Sequence, residues 1–225
     1  MCPKCGQVES GGVAEIPLDA LERQQLCDLL VELGPDAPTV LDPWSTHELA
    51  AHLVLREHDY LAAPGLVLPG PWHHFAARRT AELGERDFAS LVDQVRSGPP
   101  PGFFRIGWVR RHPNLNEFFV HHEDVRRANG RGPRNNGPEL DLALWRNVAL
   151  APWFLARRLR GVGLELVWAG TNHRVRARRG EPMARLVGPP GELLLFLFGR
   201  RAVAQVEVVG DPTAVAAARV TPFGM

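Results

Sequence analysis

The stretch N-E-F-F-V-H-H-E-D-V-R-R-A, residues 116–128, carries most of the information about the fold. Its apolar arc runs through positions 115, 118, 119, 122 and 125, a spacing typical of an amphipathic helix. Glu117, His121 and Asp124 form a polar stripe beside that arc. The stretch therefore predicts a helix that Asn114 can cap and that ends by residue 130, with carboxylate and imidazole groups next to a core.

A second stretch, E-L-A-A-H-L-V-L-R-E at residues 48–57, places another imidazole in apolar surroundings. Ser45 followed by Glu48 has the pattern of a capping box, which predicts a helix from there to about residue 62. On that helix His52 lies three residues after one leucine and next to another. We therefore expect His52 to face the interior of the protein or its border.

These two helices can bring three metal ligands together. Glu117 and His121 stand four residues apart, so both side chains lie on one face of their helix, and His52 would complete the set. Zinc accepts imidazole nitrogen and carboxylate oxygen, and three protein ligands leave a fourth position for water or substrate. Two alternatives stay open, a hydrogen-bonded core histidine and a surface Glu–His pair. Spacing alone also does not choose between His121 and His122, which lies in the middle of the apolar arc.

Helical spacing marks other parts of the first two thirds of the chain. It begins at Leu18 and ends before Gly34, a residue type that often follows a helix. It returns at about 85–96 and again at about 139–160. Pro152 is expected to kink or split the last of these helices, because proline lacks the backbone N–H that a helix interior requires.

The character of the sequence changes after residue 161. Short runs of β-forming residues at 164–168, 173–178 and 204–209 surround a helical segment at about 192–198. This alternation predicts a small α/β domain and hence an α+β chain. We expect three parts: a flexible tail at 1–13, a metal-binding helical bundle at 14–160 and the small α/β domain at 161–225.

Composition and charge narrow the classes of partner. Hydrophobic residues make up 45% and charged residues 23% of the 225 positions, as in globular proteins. The net charge is +1, so the chain as a whole offers no strong field for a polyanion and nucleic acid is not the expected partner. No apolar run reaches the length of a membrane span, and the N-terminus lacks the pattern of a signal peptide. We expect a cytoplasmic protein with no membrane partner.

The three cysteines support the same location. Cys27 falls within an apolar helical pattern, where a buried, reduced thiol is the common outcome. Cys2 and Cys5 form C-P-K-C, a spacing that occurs in zinc ribbons, but a structural zinc site needs four ligands and no second pair follows. A regulatory protein with a zinc ribbon is therefore the weakest functional hypothesis.

Both helical stretches resemble an actinobacterial family of DinB-like metal-binding proteins, which is related to the N-terminal domain of mycothiol-dependent maleylpyruvate isomerase. The residues that carry the resemblance are those at 48–57 and 116–128. In addition, G-E-L-L-L-F-L-F-G-R-R-A-V at 191–203 is similar to the sterol-carrier-type domain that follows such bundles. The resemblance thus implies a DinB-like four-helix bundle followed by a small sterol-carrier-like α/β domain.

The resemblance also implies a ligand set. A histidine on the second helix and Glu-x-x-x-His-x-x-Asp on a later one correspond to His52, Glu117, His121 and Asp124 in this chain. The match favours His121 over His122 and makes Asp124 the group that orients a ligand from behind. A divalent ion is implied, and the donor set is the one that zinc prefers.

Members of the wider group use mycothiol, a small thiol, either as the cofactor of a cis-trans isomerisation or as a nucleophile. The resemblance implies a mycothiol-dependent isomerase or S-transferase, with a small thiol and an electrophilic substrate as partners and a metal that lowers the pKa of the thiol. A non-catalytic metal- or ligand-binding protein is the alternative. Arg200, after the apolar run, suits a helix end and is also a candidate contact for an anionic thiol or substrate carboxylate.

Overall fold

The computed structural model describes residues 16–66 and 70–224, so Cys2, Cys5 and the tail predicted at 1–13 lie outside the described residues. Among those described, no helix has both the length and the apolar character needed to cross a bilayer. The helices are α1 (Leu18–Leu33), α2 (Thr46–His58), α3 (Pro71–Gly84), α4 (Phe88–Ser97), α5 (Gly107–Val109), α6 (Leu115–Ala128), α7 (Gly137–Leu150), α8 (Pro152–Leu155), α9 (Pro190–Leu197) and α10 (Pro212–Val220). The strands are β1 (Gly163–Trp168), β2 (Arg174–Arg178), β3 (Met183–Gly188) and β4 (Glu207–Gly210).

Four of the helices, α1, α2, α4 and α6, share one apolar core. Leu26 and Leu30 of α1 meet Leu53 of α2, Leu91 of α4 and Phe118 of α6 there, and all five side chains are fully buried. Each helix therefore contributes an apolar stripe, as the sequence periodicity predicts. The polar faces of α2 and α6 lie at the border of this core.

The predicted start of α2 is confirmed, and its predicted end is wrong. Ser45 and Glu48 form the capping box, with the Ser45 hydroxyl accepting a hydrogen bond from the backbone of residue 47. The helix ends at His58 instead of near residue 62. The Asp59 carboxylate accepts hydrogen bonds from the backbone N–H groups of residues 61 and 62, which closes a turn there.

The segments around α6 and α7 also differ from the prediction. Asn114 does not cap α6 with its side chain, because it lies in a π-helical turn, Arg110–Asn114, that runs directly into the helix. Its buried amide donates to the Phe104 carbonyl at 3.1 Å. The long helix expected at 139–160 is split, since α7 ends at residue 150 and Pro152 begins the four-residue α8.

The sheet has the strand order β2-β1-β3-β4, and α9 and α10 pack against it. β1 pairs antiparallel with β2 and parallel with β3, and β3 pairs antiparallel with β4. All eight residues of α9 are buried because the sheet lies on one side of it and α6 and α7 on another. Phe119 and Val120 of α6 join this second core. Helix α6 thus takes part in both cores and lies at the centre of the molecule.

Candidate metal centre

Helices α2 and α6 bring the three predicted ligands together. One ligand atom from each of His52, Glu117 and His121 lies within 4.8 Å of the other two. Glu117 Oε1 is 3.2 Å from Nε2 of His52 and 3.2 Å from Nε2 of His121. Two ligand atoms of a tetrahedral zinc ion, with bonds of roughly 2.0–2.1 Å, are roughly 3.3 Å apart. The donor types and these two spacings therefore fit zinc.

The carboxylate in this cluster is kept ionised by the cations around it. Arg56, one turn after His52 on α2, places Nε at 3.4 Å from Glu117 Oε1. Burial by itself would raise the pKa of Glu117, but Arg56 and the hydrogen bonds from both imidazoles hold that pKa well below its ordinary value. Sequence reasoning missed Arg56, although its i,i+4 spacing from His52 places it on the same face of α2.

A chain of polar contacts fixes His121 from behind. Its Nδ1–H donates to Asp124 Oδ2 at 3.1 Å, so Nε2 is directed toward Glu117. Asp124 is buried and in turn accepts two hydrogen bonds from Arg200, at 3.0 and 2.7 Å. Burial opposes a charge on His121, yet the hydrogen bonds to Asp124 and Glu117 outweigh it and raise the pKa of His121 to about 9, so a metal ion must displace a proton from Nε2 to bind there. A carboxylate behind a histidine is a common support for a metal ligand.

His52 is held in a different way. Burial lowers the pKa of His52, which favours the neutral imidazole that a metal requires. Its ring packs against those of Trp44 and His121, with centroid distances of 5.2 Å in both cases. Its Nδ1 is buried without a hydrogen-bond partner among the described residues. Ring packing and the contact between its Nε2 and Glu117 therefore set the orientation of His52.

His122 points away from this cluster. Its Nδ1 lies 3.1 Å from a carboxylate oxygen of Glu22 on α1, and Arg134 donates to the same carboxylate at 2.6 Å. This places His122 between α6 and α1, in the direction that the apolar arc of the sequence indicates. The structure therefore brings His121, and not His122, next to Glu117 and His52.

The cluster lies on the wall of a cavity of about 590 Å³. His52, Glu117, His121 and Arg200 all reach this wall, whereas Asp124 lies behind it. Arg200, predicted as a contact for an anion, binds the chain's own Asp124 carboxylate in the structure. Three further polar groups on the wall were not predicted as site residues: His112 in the turn before α6, Asn116 on α6 and Asn147 on α7.

The fold is similar to two solved structures of the mycothiol-dependent maleylpyruvate isomerase, one of them a variant with a histidine replaced by alanine. The TM-scores are 0.53 for the first and 0.56 for the variant. In both cases the sequence identity is 15%, and the match covers 88% of this chain and 91% of the other. No protein-family model and no curated protein sequence matches the chain. The comparison establishes a shared fold.

Proposed function

We propose that the chain binds one divalent ion, zinc by its donor set, through His52, Glu117 and His121, and uses it to activate a small thiol. The thiol is mycothiol, and the activity is that of an isomerase or S-transferase acting on an electrophilic substrate. The observation that carries this proposal is the placement of three ligand atoms within 4.8 Å of one another on the wall of a large cavity. The fold shared with a mycothiol-dependent isomerase supports the choice of thiol and reaction.

The residues around the cluster have distinct roles in this proposal. A bound ion would supply a Lewis acid that lowers the pKa of the thiol, whose thiolate form is the nucleophile. Arg56 keeps the Glu117 carboxylate ionised, and Asp124 holds the His121 ring by its Nδ1–H. The three metal-binding side chains come from two helices packed in one core, so their positions are set before an ion or a thiol binds.

The direct experiment is metal analysis of the purified chain, in which we expect about one divalent ion per chain, mostly zinc. The double variant His52→Ala/His121→Ala should lose nearly all of it. His47→Ala is a suitable control, because this histidine also lies on α2 but its Nε2 donates to the Arg86 carbonyl outside the cluster. Equal metal content in the double variant and the control would exclude the site.

A non-catalytic binding protein is the second candidate, and one observation favours it. Glu117 already contacts Arg56 and both imidazoles, so these side chains also form a network of ion pairs and hydrogen bonds among themselves. Cobalt substitution separates the candidates, because a thiol that coordinates the metal is deprotonated and gives a thiolate-to-cobalt absorption band. Appearance of this band on adding mycothiol supports the enzyme, and its absence at saturating thiol supports the binding protein.

A further inference from the structure

Beyond the metal cluster, the wall of the cavity is mainly apolar. Val120 of α6, Leu150 of α7, Phe154 and Leu155 of α8 and Trp108 of α5 all contribute to it. The predicted long helix is split at Pro152, and the short helix α8 that follows contributes Phe154 and Leu155 to this apolar surface. A volume of about 590 Å³ is ample for a drug-sized molecule, since such sites typically span roughly 300–1,000 Å³.

Several of these apolar side chains are also exposed to solvent. Trp108 is 55% exposed, Leu150 is 53% exposed and Phe154 is 39% exposed, although all three line the cavity. Exposed apolar side chains that line a concave site lose contact with water when an apolar ligand covers them, which favours binding of such a ligand.

The cationic groups on the wall are already paired within the chain. Arg200 gives two hydrogen bonds to Asp124 and a third to the Phe198 carbonyl. Arg56 contacts Glu117 and donates to Asn114 at 3.0 Å. The charge of each guanidinium is thus already balanced by a buried carboxylate of the protein, so a ligand carboxylate gains little from either one and would have to lose its hydration to reach them.

The remaining polar groups of the wall form a neutral chain of hydrogen bonds. Asn147 Nδ2 donates to the Arg111 carbonyl at 3.0 Å and to Asn116 Oδ1 at 2.8 Å. Its Oδ1 must therefore accept the 2.5 Å hydrogen bond from His112 Nδ1, so the Nε2 atom of His112 is not used in this contact. This part of the wall can recognise an uncharged polar group.

We infer that the cavity takes an uncharged, largely apolar molecule with an aryl or branched alkyl body and one neutral hydrogen-bonding group. The apolar wall holds the body, and the chain of His112, Asn147 and Asn116 is available to the polar group. That the electrophilic substrate is such a molecule rests on the proposed function. The binding preference itself does not require the ion.

Two fluorescent probes with the same ring system test the inference. N-phenyl-1-naphthylamine is neutral, and 8-anilinonaphthalene-1-sulfonate adds one sulfonate to the same body. We expect the neutral probe to bind at one saturable site with a dissociation constant at least tenfold lower than that of the sulfonate. Equal or tighter binding of the sulfonate would overturn the inference.

Variants at the mouth of the cavity locate the binding. Phe154→Ala and Leu150→Gln should each raise the dissociation constant of the neutral probe about fivefold or more. Trp153→Ala is the matched control, because Trp153 is 66% exposed, belongs to the same short helix and does not line the cavity. If neither Phe154→Ala nor Leu150→Gln weakens binding, or if Trp153→Ala weakens it as much, the probe binds elsewhere and the inference is wrong.

The same titrations are run on the purified chain before and after removal of metal by a chelator. A neutral-probe preference that persists in both states supports the apolar cavity whatever the metal content is. If the proposed function is wrong, metal analysis finds no bound ion while the cavity still prefers the neutral probe. If the present inference is wrong, the preference for the neutral probe is absent while one ion is still bound per chain.

Discussion

The neighbouring histidines of α6 have different partners because successive residues of a helix point about 100° apart. His121 meets Glu117 and Asp124 at the wall of the cavity, whereas His122 meets Glu22 on α1. One position in the sequence therefore separates a candidate metal ligand from a group that joins two helices.

This separation predicts opposite results for two alanine variants. His121→Ala should remove the metal, because it deletes one of three ligands. His122→Ala should keep the metal and lower the free energy of unfolding by about 1–3 kcal/mol, because it removes one of the two groups that bind the buried Glu22 carboxylate. Metal analysis and chemical denaturation of both proteins measure the two effects. Loss of the ion in His122→Ala with retention in His121→Ala would move the site to the other face of α6.

At the residue scale, the sequence predicts contacts between residues that are only a few positions apart. Glu117 and His121 stand four residues apart, and helix geometry alone puts them on one face. The bonds from Arg200 to Asp124 join residues far apart in the sequence, and no local pattern indicates them. The same holds for the contact between His112 and Asn147. Long-range polar pairs depend on how elements pack, which single-sequence patterns do not encode.

At the scale of elements, α1 and α6 are joined by a buried carboxylate whose charge depends on pH. Burial would raise the pKa of Glu22, but hydrogen bonds from His122 and Arg134 outweigh it and lower that pKa from its ordinary value of 4.5. A carboxyl whose folded-state pKa is lowered stabilises the fold above its unfolded pKa. That stabilisation is lost as the pH falls below about 4.5 and through the folded-state pKa.

Glu22→Gln should therefore lower stability near pH 7, by about 1–3 kcal/mol, and flatten the loss of stability below pH 4.5. Denaturation midpoints measured from pH 7 to pH 3 give both effects. Glu32→Gln is the control on the same helix, because Glu32 pairs with Arg131 at the surface. This substitution should change the free energy of unfolding by less than about 1 kcal/mol. A Glu22→Gln profile parallel to that of the unmodified chain would contradict the assigned role of Glu22.

The contact between α6 and α9 depends on a glycine. A Cβ at Gly191 would lie 2.6 Å from Cζ of Phe119, closer than side chains normally approach. We expect Gly191→Ala to lower the free energy of unfolding by about 1–3 kcal/mol, despite the higher helix propensity of alanine. Gly84→Ala, near the end of α3 with no atom within 4 Å of the added carbon, should be neutral or slightly stabilising. Equal stability of both variants would mean that α6 and α9 are not closely packed there.

Among the elements, the capping box at the start of α2 and the break at Pro152 were predictable because each follows from a few adjacent residues. Strand β3 and helix α10 were not predicted. β3 carries an arginine in its middle and is stabilised by parallel pairing with β1, a partner distant in sequence. In α10 only Ala214 and Ala218 are buried, so its apolar stripe is too weak to stand out.

At the scale of the whole molecule, the metal cluster is built by the first part of the chain and supported by the last. His52, Glu117 and His121 come from helices of the first core, but the carboxylate behind His121 is held by Arg200, which follows α9 in the second core region. The predicted division at residues 160 and 161 therefore does not separate the site from the C-terminal segment: the two segments meet behind it. Helix α6, which contributes to both cores, makes this arrangement stable.

This dependence predicts the effect of a residue that does not belong to the ligand set. Arg200→Met removes both hydrogen bonds to Asp124 and leaves a buried carboxylate with fewer partners, so stability should fall by about 3–5 kcal/mol. Because Asp124 also orients His121, zinc affinity should fall by about tenfold or more, in the range seen when a ligand's supporting group is lost. Competition with a chelator measures the affinity, and denaturation measures the stability. The neighbouring Arg201→Met, whose guanidinium bonds only the Arg219 carbonyl among the described residues, should change the affinity by less than twofold. If Arg200→Met binds zinc as tightly as Arg201→Met, the C-terminal segment does not support the metal centre, and Asp124 alone fixes the histidine.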